Sequence, residues 1–532
     1  MKKFLEFVTI LVIFIAAVFL RVYKLDQIPP SLNWDEVAAG YNAYTIANWG
    51  VDEWGHKFPL VFQSFYDDKH PVHIYIAAAF IKVFGLSDFV TRLPSAVFGS
   101  LTVLAIYFLV RLMFKNRLAG IFSALFLAIS SYHLQFSRGL WEVTFALFFY
   151  ILGLLLFYIG IRKKTWLLPL SFFSFGICFF SYHASKVLVP PTLLLLGILY
   201  FKDLVKNRIS LLLCGLVILL FAWLTIQNPR ILGFARIAQN KLSNVEIDGT
   251  FIYPRTHNIY LATAEVTLDH YVTYFSPKYL FVSGDQDPRD SVPVFGQFYK
   301  IYAVLIAIGL ISLIFIRSKE VLIILAWLLL APLPAAFTTG EAQNATRAMF
   351  MMGSVDILAA LGASRFVMLI KNEIWYILAS LIIIIPLFTE FGMYLRYYYT
   401  EYAKKDAIAW QYGMKQIAMY IKDNPNYWRV YMTKDRQQPY IFLLYYLKYP
   451  VYEYLNTVKY DESQSKSYNV AESFGDFQFS NWDPIESPPT PYTLYVLTPS
   501  EYDGLRYRSD FDIKDLIKYP DGSNAYFIVE SK

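Results

Sequence analysis

The chain has 532 residues, of which 56 % are hydrophobic, 18 % aromatic and only 17 % charged, and its 47 basic and 41 acidic side chains give a net charge of +6. Mean hydropathy is +0.40. Soluble domains carry roughly 25 % charged residues, so this composition excludes a disordered protein, an ordinary water-soluble enzyme and a disulfide scaffold. The mild positive balance fits the basic loops of a membrane protein, with no call for nucleic acid.

After Lys2 and Lys3 an apolar run extends to Leu20, and Arg21 and Lys24 follow at once. It reads as an uncleaved first span with its basic start in the cytoplasm. Ten further runs approach the roughly 20 residues a helix needs to cross a bilayer. They lie near 94–112, 118–132, 142–160, 166–182, 187–201, 209–226, 299–316, 321–337, 348–370 and 374–393. Cys178 and Cys214 stand inside such runs and read as packing residues. The shorter run 71–85 is ambiguous. The basic connections at 115–117, 162–164, 202–208, Arg317 with Lys319, and Lys371 fall in every second gap. All of them are cytoplasmic only if 71–85 does not cross, so that segment is expected at the outer interface. The fold class expected is mainly α: a polytopic membrane protein of about eleven spans, N-terminus in and C-terminus out.

That topology puts segments 21–93, 227–298 and 394–532 outside, and chemistry concentrates in such loops. The chain is expected to divide into a membrane domain, 1–396, and an extracytoplasmic α/β domain, 397–532. In the latter, Ile408, Ile417 and Ile421 have helical spacing within 403–422, and 430–432 and 492–497 read as strands. Residues 518–529 read as a hairpin around Pro520-Asp521-Gly522-Ser523, and Ser487-Pro488-Pro489 as a loop.

Asn33-Trp34-Asp35-Glu36 follows Pro29-Pro30 in the first outer loop. Two adjacent carboxylates beside a span are costly near lipid and suit a wet cavity, as a general base or as charges at a helix start. Tyr66-Asp67-Asp68-Lys69-His70-Pro71 comes next; Lys69 either meets a lipid phosphate or snorkels at the interface. Arg92 opens the next span and reads as an interface anchor. Arg138 and Glu142 have i,i+4 spacing at another outer turn. Tyr182, His183 and Lys186 mark a third turn, and Asn344-Ala345-Thr346-Arg347, which contains a glycosylation triplet, a fourth. Several cations at one membrane face suit an anionic lipid headgroup. His70 and His73 are the nearest histidines, and without cysteines beside them no structural zinc is expected; a divalent ion at Asp35 stays open.

The order Trp34-Asp35-Glu36-Val37, Asp68-Lys69-His70-Pro71, Arg92-Leu93-Pro94-Ser95 resembles the GT-C membrane glycosyltransferases, and most nearly family 39, the protein O-mannosyltransferase and aminoarabinose transferase group. The layout is similar over about residues 1–395, with Ser137-Arg138 and Arg347 as weaker matches. The resemblance implies a polyprenyl-phosphate sugar donor, an extracytoplasmic site and inversion at the anomeric carbon. It also implies Asp35 as the base and Lys69 as a cation near the lipid phosphate. The aminoarabinose transferases usually carry Lys-Pro-Pro here and the mannosyltransferases His-Pro-Pro, whereas this chain has Lys69-His70-Pro71-Val72. The 227–298 loop is also too short for the inserted β-trefoil domain of the eukaryotic mannosyltransferases, so the acceptor stays open.

The chemistry asks for the same parts. Transfer of a sugar from phosphate to a hydroxyl needs one base and cations for the departing phosphate, without the acid partner of glycoside hydrolysis. The expectation is an inverting glycosyltransferase (EC 2.4 class) of a prokaryotic cell membrane. Its partners are the lipid donor, a hydroxyl acceptor on protein, lipid or glycan, and the bilayer, with no nucleic acid. Asp35 and Glu36 are the catalytic candidates. Lys69, Arg138, Lys186 and Arg347 are candidates for the donor phosphate, and Asp68, His70, Glu142, Tyr182 and His183 for the cavity. Asp285, Asp287 and Arg289 in the Tyr-rich outer loop Phe275 to Tyr299 are expected to cover the donor or meet the acceptor. The rival classes are a transporter or flippase, which needs broken helices at mid-membrane, and a non-catalytic glycan-assembly subunit.

Overall fold

A computed structural model describes residues 2–65, 67–233, 241–316, 318–339, 343–370, 373–461, 470–479 and 491–532. The expected loop at Ser487-Pro488-Pro489 and the charges Arg317 and Lys371 lie outside the described residues. The chain forms two compact units, Met1–Tyr23 with Ser95–Arg396 and Lys24–Pro94 with Tyr397–Lys532.

The first unit is helical, and every one of the apolar runs has become helix. In chain order these are Lys2–Val22, Asp88–Met113 (which starts in the second unit), Arg117–Ile129, Glu142–Arg162, Leu167–Phe179, Ser185–Leu199, Arg208–Gln227, Ile301–Phe315, Lys319–Leu330, Met351–Met368 and Glu373–Tyr397. Arg117–Ile129 continues into Ser131–Ser137 after a 58° bend. Among the described residues seven helices are long and apolar enough to cross a membrane, or eight if the bent pair is one span; Pro71–Phe84, Leu167–Phe179, Ser185–Leu199 and Ile301–Phe315 are shorter. The chain is a multi-pass integral membrane protein.

Polar residues end the apolar runs for a local reason. Asn116 and Asn207 sit at helix N-caps and accept from the N–H groups of Ala119 and Ser210, each at 3.2 Å, which satisfies donors the helix leaves open. Helices Ile301–Phe315 and Met351–Met368 approach through glycines. A Cβ on Gly309 would stand 2.2 Å from the Leu358 carbonyl oxygen, and one on Gly362 1.9 Å from that of Leu305. Small residues at a helix crossing are how membrane helices gain packing.

In the second unit β1 (Phe62–Ser64) pairs with β2 (Asp67–Lys69), and the other strands are β3 (Arg429–Met432), β4 (Lys459–Tyr460), β5 (Ala471–Phe474), β6 (Phe477–Phe479), β7 (Thr493–Leu497), β8 (Phe511–Lys518) and β9 (Asn524–Ser531). Among the described residues these last seven form a mixed sheet in the order β4-β5-β6-β3-β7-β9-β8. β3 pairs in parallel with β6 and β7, and the expected hairpin is the antiparallel β8–β9 pair, with Gly522 at φ +92° in its turn. β7 is central and buried along its whole length. The expected helix over 403–422 is instead two pieces, Ala403–Lys405 and Met414–Asp423. Ile417 and Ile421 are buried while Ile408 is exposed. The interruption has a cause: Gly413 at φ +106° and Gln411 at φ +47° turn the chain so that the Gln411 side chain accepts from the Trp34 N–H at 3.2 Å.

Candidate active site

Asn33 caps the helix Trp34–Trp49. Its side-chain oxygen accepts from the N–H groups of Asp35 and Glu36 at 2.8 and 3.1 Å, and the Glu36 carboxylate accepts from the Asn33 N–H at 3.2 Å. This capping box sets both acids in the first turn, where the helix dipole favours negative charge. Adjacent helical residues point about 100° apart, so the two carboxylates diverge.

Glu36 turns inward and is fully buried, its two oxygens accepting from Arg92 Nε at 2.8 Å and Nη2 at 2.9 Å. Arg92 donates its remaining N–H groups to the carbonyls of Leu25, Pro29 and Ser31 and lies over the Trp410 ring. It is thus a buried clasp on the segment leading into the helix Trp34–Trp49, where an interface anchor was expected. Asp35 points the other way. Its side chain is 30 % exposed and accepts from Lys69 Nζ, itself 12 % exposed.

Lys69 is held by a short hairpin, β1 (Phe62–Ser64) against β2 (Asp67–Lys69), with Lys69 opposite Phe62. Alternation along β2 buries Asp68. His70 then occupies the N-cap position of the helix Pro71–Phe84, and His73 is buried in its first turn. Burial, reinforced by the Lys69 charge, pushes His73 down to about 3, so it is neutral. Among the described residues no three His, Cys, Asp or Glu side chains are grouped to hold a metal ion.

Sequence reasoning missed Glu53. The Asn42 amide, on the same helix as Asp35, donates to Glu53 Oε2 at 3.1 Å and accepts from the Glu53 N–H at 2.9 Å. Tyr440 donates to Oε1 at 3.4 Å. Burial, helped by neighbouring Asp52, pushes the Glu53 carboxyl up to about 8. The adjacent acids Asp52-Glu53 in an outer loop were the available signal.

The other candidates belong to the first unit. Arg138 is buried, and its guanidinium donates to the carbonyls of Leu20 and Tyr23 at 2.6 and 2.9 Å, at the C-terminal end of the first helix. Tyr182, His183, Lys186 and Arg347 line one cavity of about 570 Å³. Lys241, which sequence reasoning did not single out, lines it too, as do Val187, Leu232, Leu242, Ile247, Ile259 and Phe337. Lys186 donates to the Tyr182 carbonyl at 3.3 Å and lies over the Phe179 ring. Burial pushes its ammonium down to about 7 against the opposing pull of Glu142, the first residue of helix Glu142–Arg162. Gly233, at φ +74°, leaves room for His183, whose Nδ1 would stand 2.3 Å from a Cβ there.

The turn carrying Arg347 is pinned from below. Asn344 Oδ1 accepts from the Arg347 N–H at 2.8 Å, Asn344 Nδ2 donates to Asp290 at 3.3 Å, and the Ala345 N–H donates to Asp285 at 2.6 Å. Burial raises both carboxyls above the usual range. The glycosylation triplet therefore spends its asparagine on internal bonds. Asp287 pairs with Arg289 at 2.7 Å. Asp285 and Asp290 thus hold the Arg347 turn in place.

Residues 68–226 match the model of the dolichyl-phosphate-mannose-protein mannosyltransferase family. Among solved structures, ArnT from Cupriavidus metallidurans, bound to undecaprenyl phosphate, superposes with a TM-score of 0.56 at 13 % identity, covering 99 % of this chain and 98 % of that one. The chain has a GT-C fold, similar to the mannosyltransferases and ArnT. The archaeal oligosaccharyltransferase AglB from Archaeoglobus fulgidus, in complex with an inhibitory peptide and a dolichol-phosphate, matches this GT-C chain with a TM-score of 0.52 at 15 % identity. That match covers 84 % of this chain but only 64 % of AglB. No curated protein matches the sequence.

Proposed function

We propose that the protein is an inverting glycosyltransferase that moves a sugar from a polyprenyl-phosphate donor to a hydroxyl acceptor on the extracytoplasmic face of a prokaryotic cell membrane. The observation that carries the reading is the divergence of two adjacent acids: Glu36 is consumed by Arg92, while Asp35 stays accessible and oriented by Lys69. Asp35 takes the acceptor hydroxyl proton as the hydroxyl oxygen bonds to the anomeric carbon. The bond from that carbon to the phosphate oxygen breaks on the opposite face, and its electron pair leaves with the polyprenyl phosphate. Glu36 is a positioning residue, and Lys69 both orients the base and offers charge to the phosphate.

The cavity of Lys186, Lys241 and Arg347 supports a phosphate-bearing lipid, since its cations stand among aliphatic and aromatic walls. Arg138, whose guanidinium closes the carbonyl end of the first helix, is assigned an architectural role in place of phosphate binding. For topology we propose the N-terminus in the cytoplasm, 71–84 at the outer interface and the C-terminal domain outside. The basic positions Lys115 and Arg162, from two alternate turns, line a single cavity together, which supports their lying on one side.

Sugar transfer tests the reading. Purified wild type and Asp35→Asn are given a panel of radiolabelled polyprenyl-phosphate sugars with extracted membrane acceptors. Transfer by wild type that collapses in the variant, with donor retained by both, is expected. Equal transfer by both proteins removes Asp35 as the base.

A further inference from the structure

The first unit has a second cavity, of about 510 Å³, built from residues the transfer reaction does not use. Four chain segments close it: the 113–116 turn, Arg162 at the end of its helix, 312–316 with Ser318 and Glu320 between two helices, and 361–368 at the end of Met351–Met368. Every one of these is an end of a membrane helix that carries a basic residue.

The charges in it do not cancel. Arg162 donates to Glu320 at 2.6 Å, and Tyr200 donates to the same carboxylate oxygen at 3.1 Å, so this acid is satisfied within the protein. Lys115 and Arg365 also line the cavity, are exposed, and among the described residues have no ion-pair partner. Ser318 lines it as well; its hydroxyl is buried and, among the described residues, has no hydrogen-bond partner. Buried hydroxyls normally find a partner. Two cations and one hydroxyl donor around a pocket match the donor needs of a phosphate group.

The walls select the source of that phosphate. Phe315 and Met368, which line the same cavity as the cations, are 71 % and 57 % exposed, and Ile316 lines it too. A free anion gains nothing from such walls, whereas a lipid places its glycerol and first methylenes against them. Basic pockets between membrane helices on the positively charged side are suited to anionic headgroups.

We propose that this cavity, formed by Lys115, Ser318 and Arg365 at the basic helix ends, binds the phosphate headgroup of an anionic phospholipid. The site is separate in its residues from the cavity of Lys186 and Arg347, and it holds a lipid that the sugar-transfer reaction does not consume.

The test uses the purified full chain in neutral detergent. Phosphatidylglycerol, phosphatidylcholine or inorganic phosphate is added, and lipid retention by native mass spectrometry and thermal stability are read. Wild type is expected to keep phosphatidylglycerol at least tenfold better than phosphatidylcholine and to be stabilised by it. Lys115→Gln with Arg365→Gln abolishes that preference. Lys115→Arg with Arg365→Lys keeps it, which separates loss of charge from damage to the fold. Ser318→Ala weakens retention about fivefold, the scale of one hydrogen bond. Equal retention of the two lipids by wild type, or a double Gln variant that behaves as wild type, overturns the site. Stabilisation by inorganic phosphate as strong as by phosphatidylglycerol overturns the lipid as the source of the phosphate.

Discussion

Arg92 and Glu36, 56 residues apart, form a two-pronged ion pair at 2.8 and 2.9 Å with both side chains fully buried. A buried pair of this kind contributes little relative to an apolar replacement of both partners, but losing one partner strands a charge, at about 3–5 kcal/mol. Arg92→Gln is therefore expected to lower the Tm in detergent sharply. Arg92→Lys does not restore it, because an ammonium cannot make the fork to Glu36 and reach three carbonyls as well. Thermal unfolding of the three proteins side by side checks this. An unchanged Tm in Arg92→Gln would remove the clasp as a determinant of the first loop.

Asp35 differs from its neighbour by being accessible, and its variant should differ in kind. Asp35→Asn keeps an oxygen that accepts from Lys69 and leaves the capping box intact. It is expected to fold with the wild-type Tm and to lose about 10²- to 10⁴-fold in kcat, the usual contribution of a positioned base. The KM for the lipid donor stays within a few-fold. A matching drop in Tm and kcat would assign Asp35 to structure instead.

The contrast between these two acids marks where the sequence stops being legible. The membrane helices could be read because hydropathy is a local signal, and the runs at 142–160 and 374–393 became helices close to those bounds. Hairpin β8–β9 was legible through Pro520-Asp521-Gly522-Ser523. Which of two adjacent acids is buried depends on Arg92, far along the chain, and no local pattern carries that. The same holds for the segment 24–94 joining 397–532 in one compact unit, and for Lys241, a lone cation in a loop that only tertiary packing brings to the cavity of Arg347. Strands β4 to β6 are two to four residues long, too short to show a period.

Glu53 supplies a pH-dependent contribution to stability. Its carboxyl is raised to about 8 in the folded chain by burial and by Asp52, against about 4.3 when unfolded. Between those values the folded state holds the extra proton, so stability falls as pH rises. The stabilisation is complete below about 4.3 and lost as pH passes 8. Glu53→Gln keeps a side-chain oxygen for the Asn42 amide and cannot ionise, so the decline in Tm between pH 5 and pH 8 becomes shallower in the variant. Parallel Tm profiles for the two proteins would show that the Glu53 proton does not report on folding.

Lys186 puts a titration into donor binding itself. Burial pushes its ammonium down to about 7, so the free protein carries this charge below pH 7 and loses it above. A bound phosphate favours the charged form, so the dependence belongs to kcat/KM, which reports the free enzyme. As pH rises from 6 to 8.5, kcat/KM for the lipid donor is expected to fall about tenfold from loss of this one cation. Lys186→Arg is charged throughout and flattens the profile at the high, low-pH value. Lys186→Met flattens it at the low value. Arg347→Gln lowers kcat/KM at every pH and leaves the inflection near 7 in place, because Lys186, the group that carries the inflection, is untouched beside it in the same cavity. An inflection that persists in both Lys186 variants would move the titration away from Lys186 to another group.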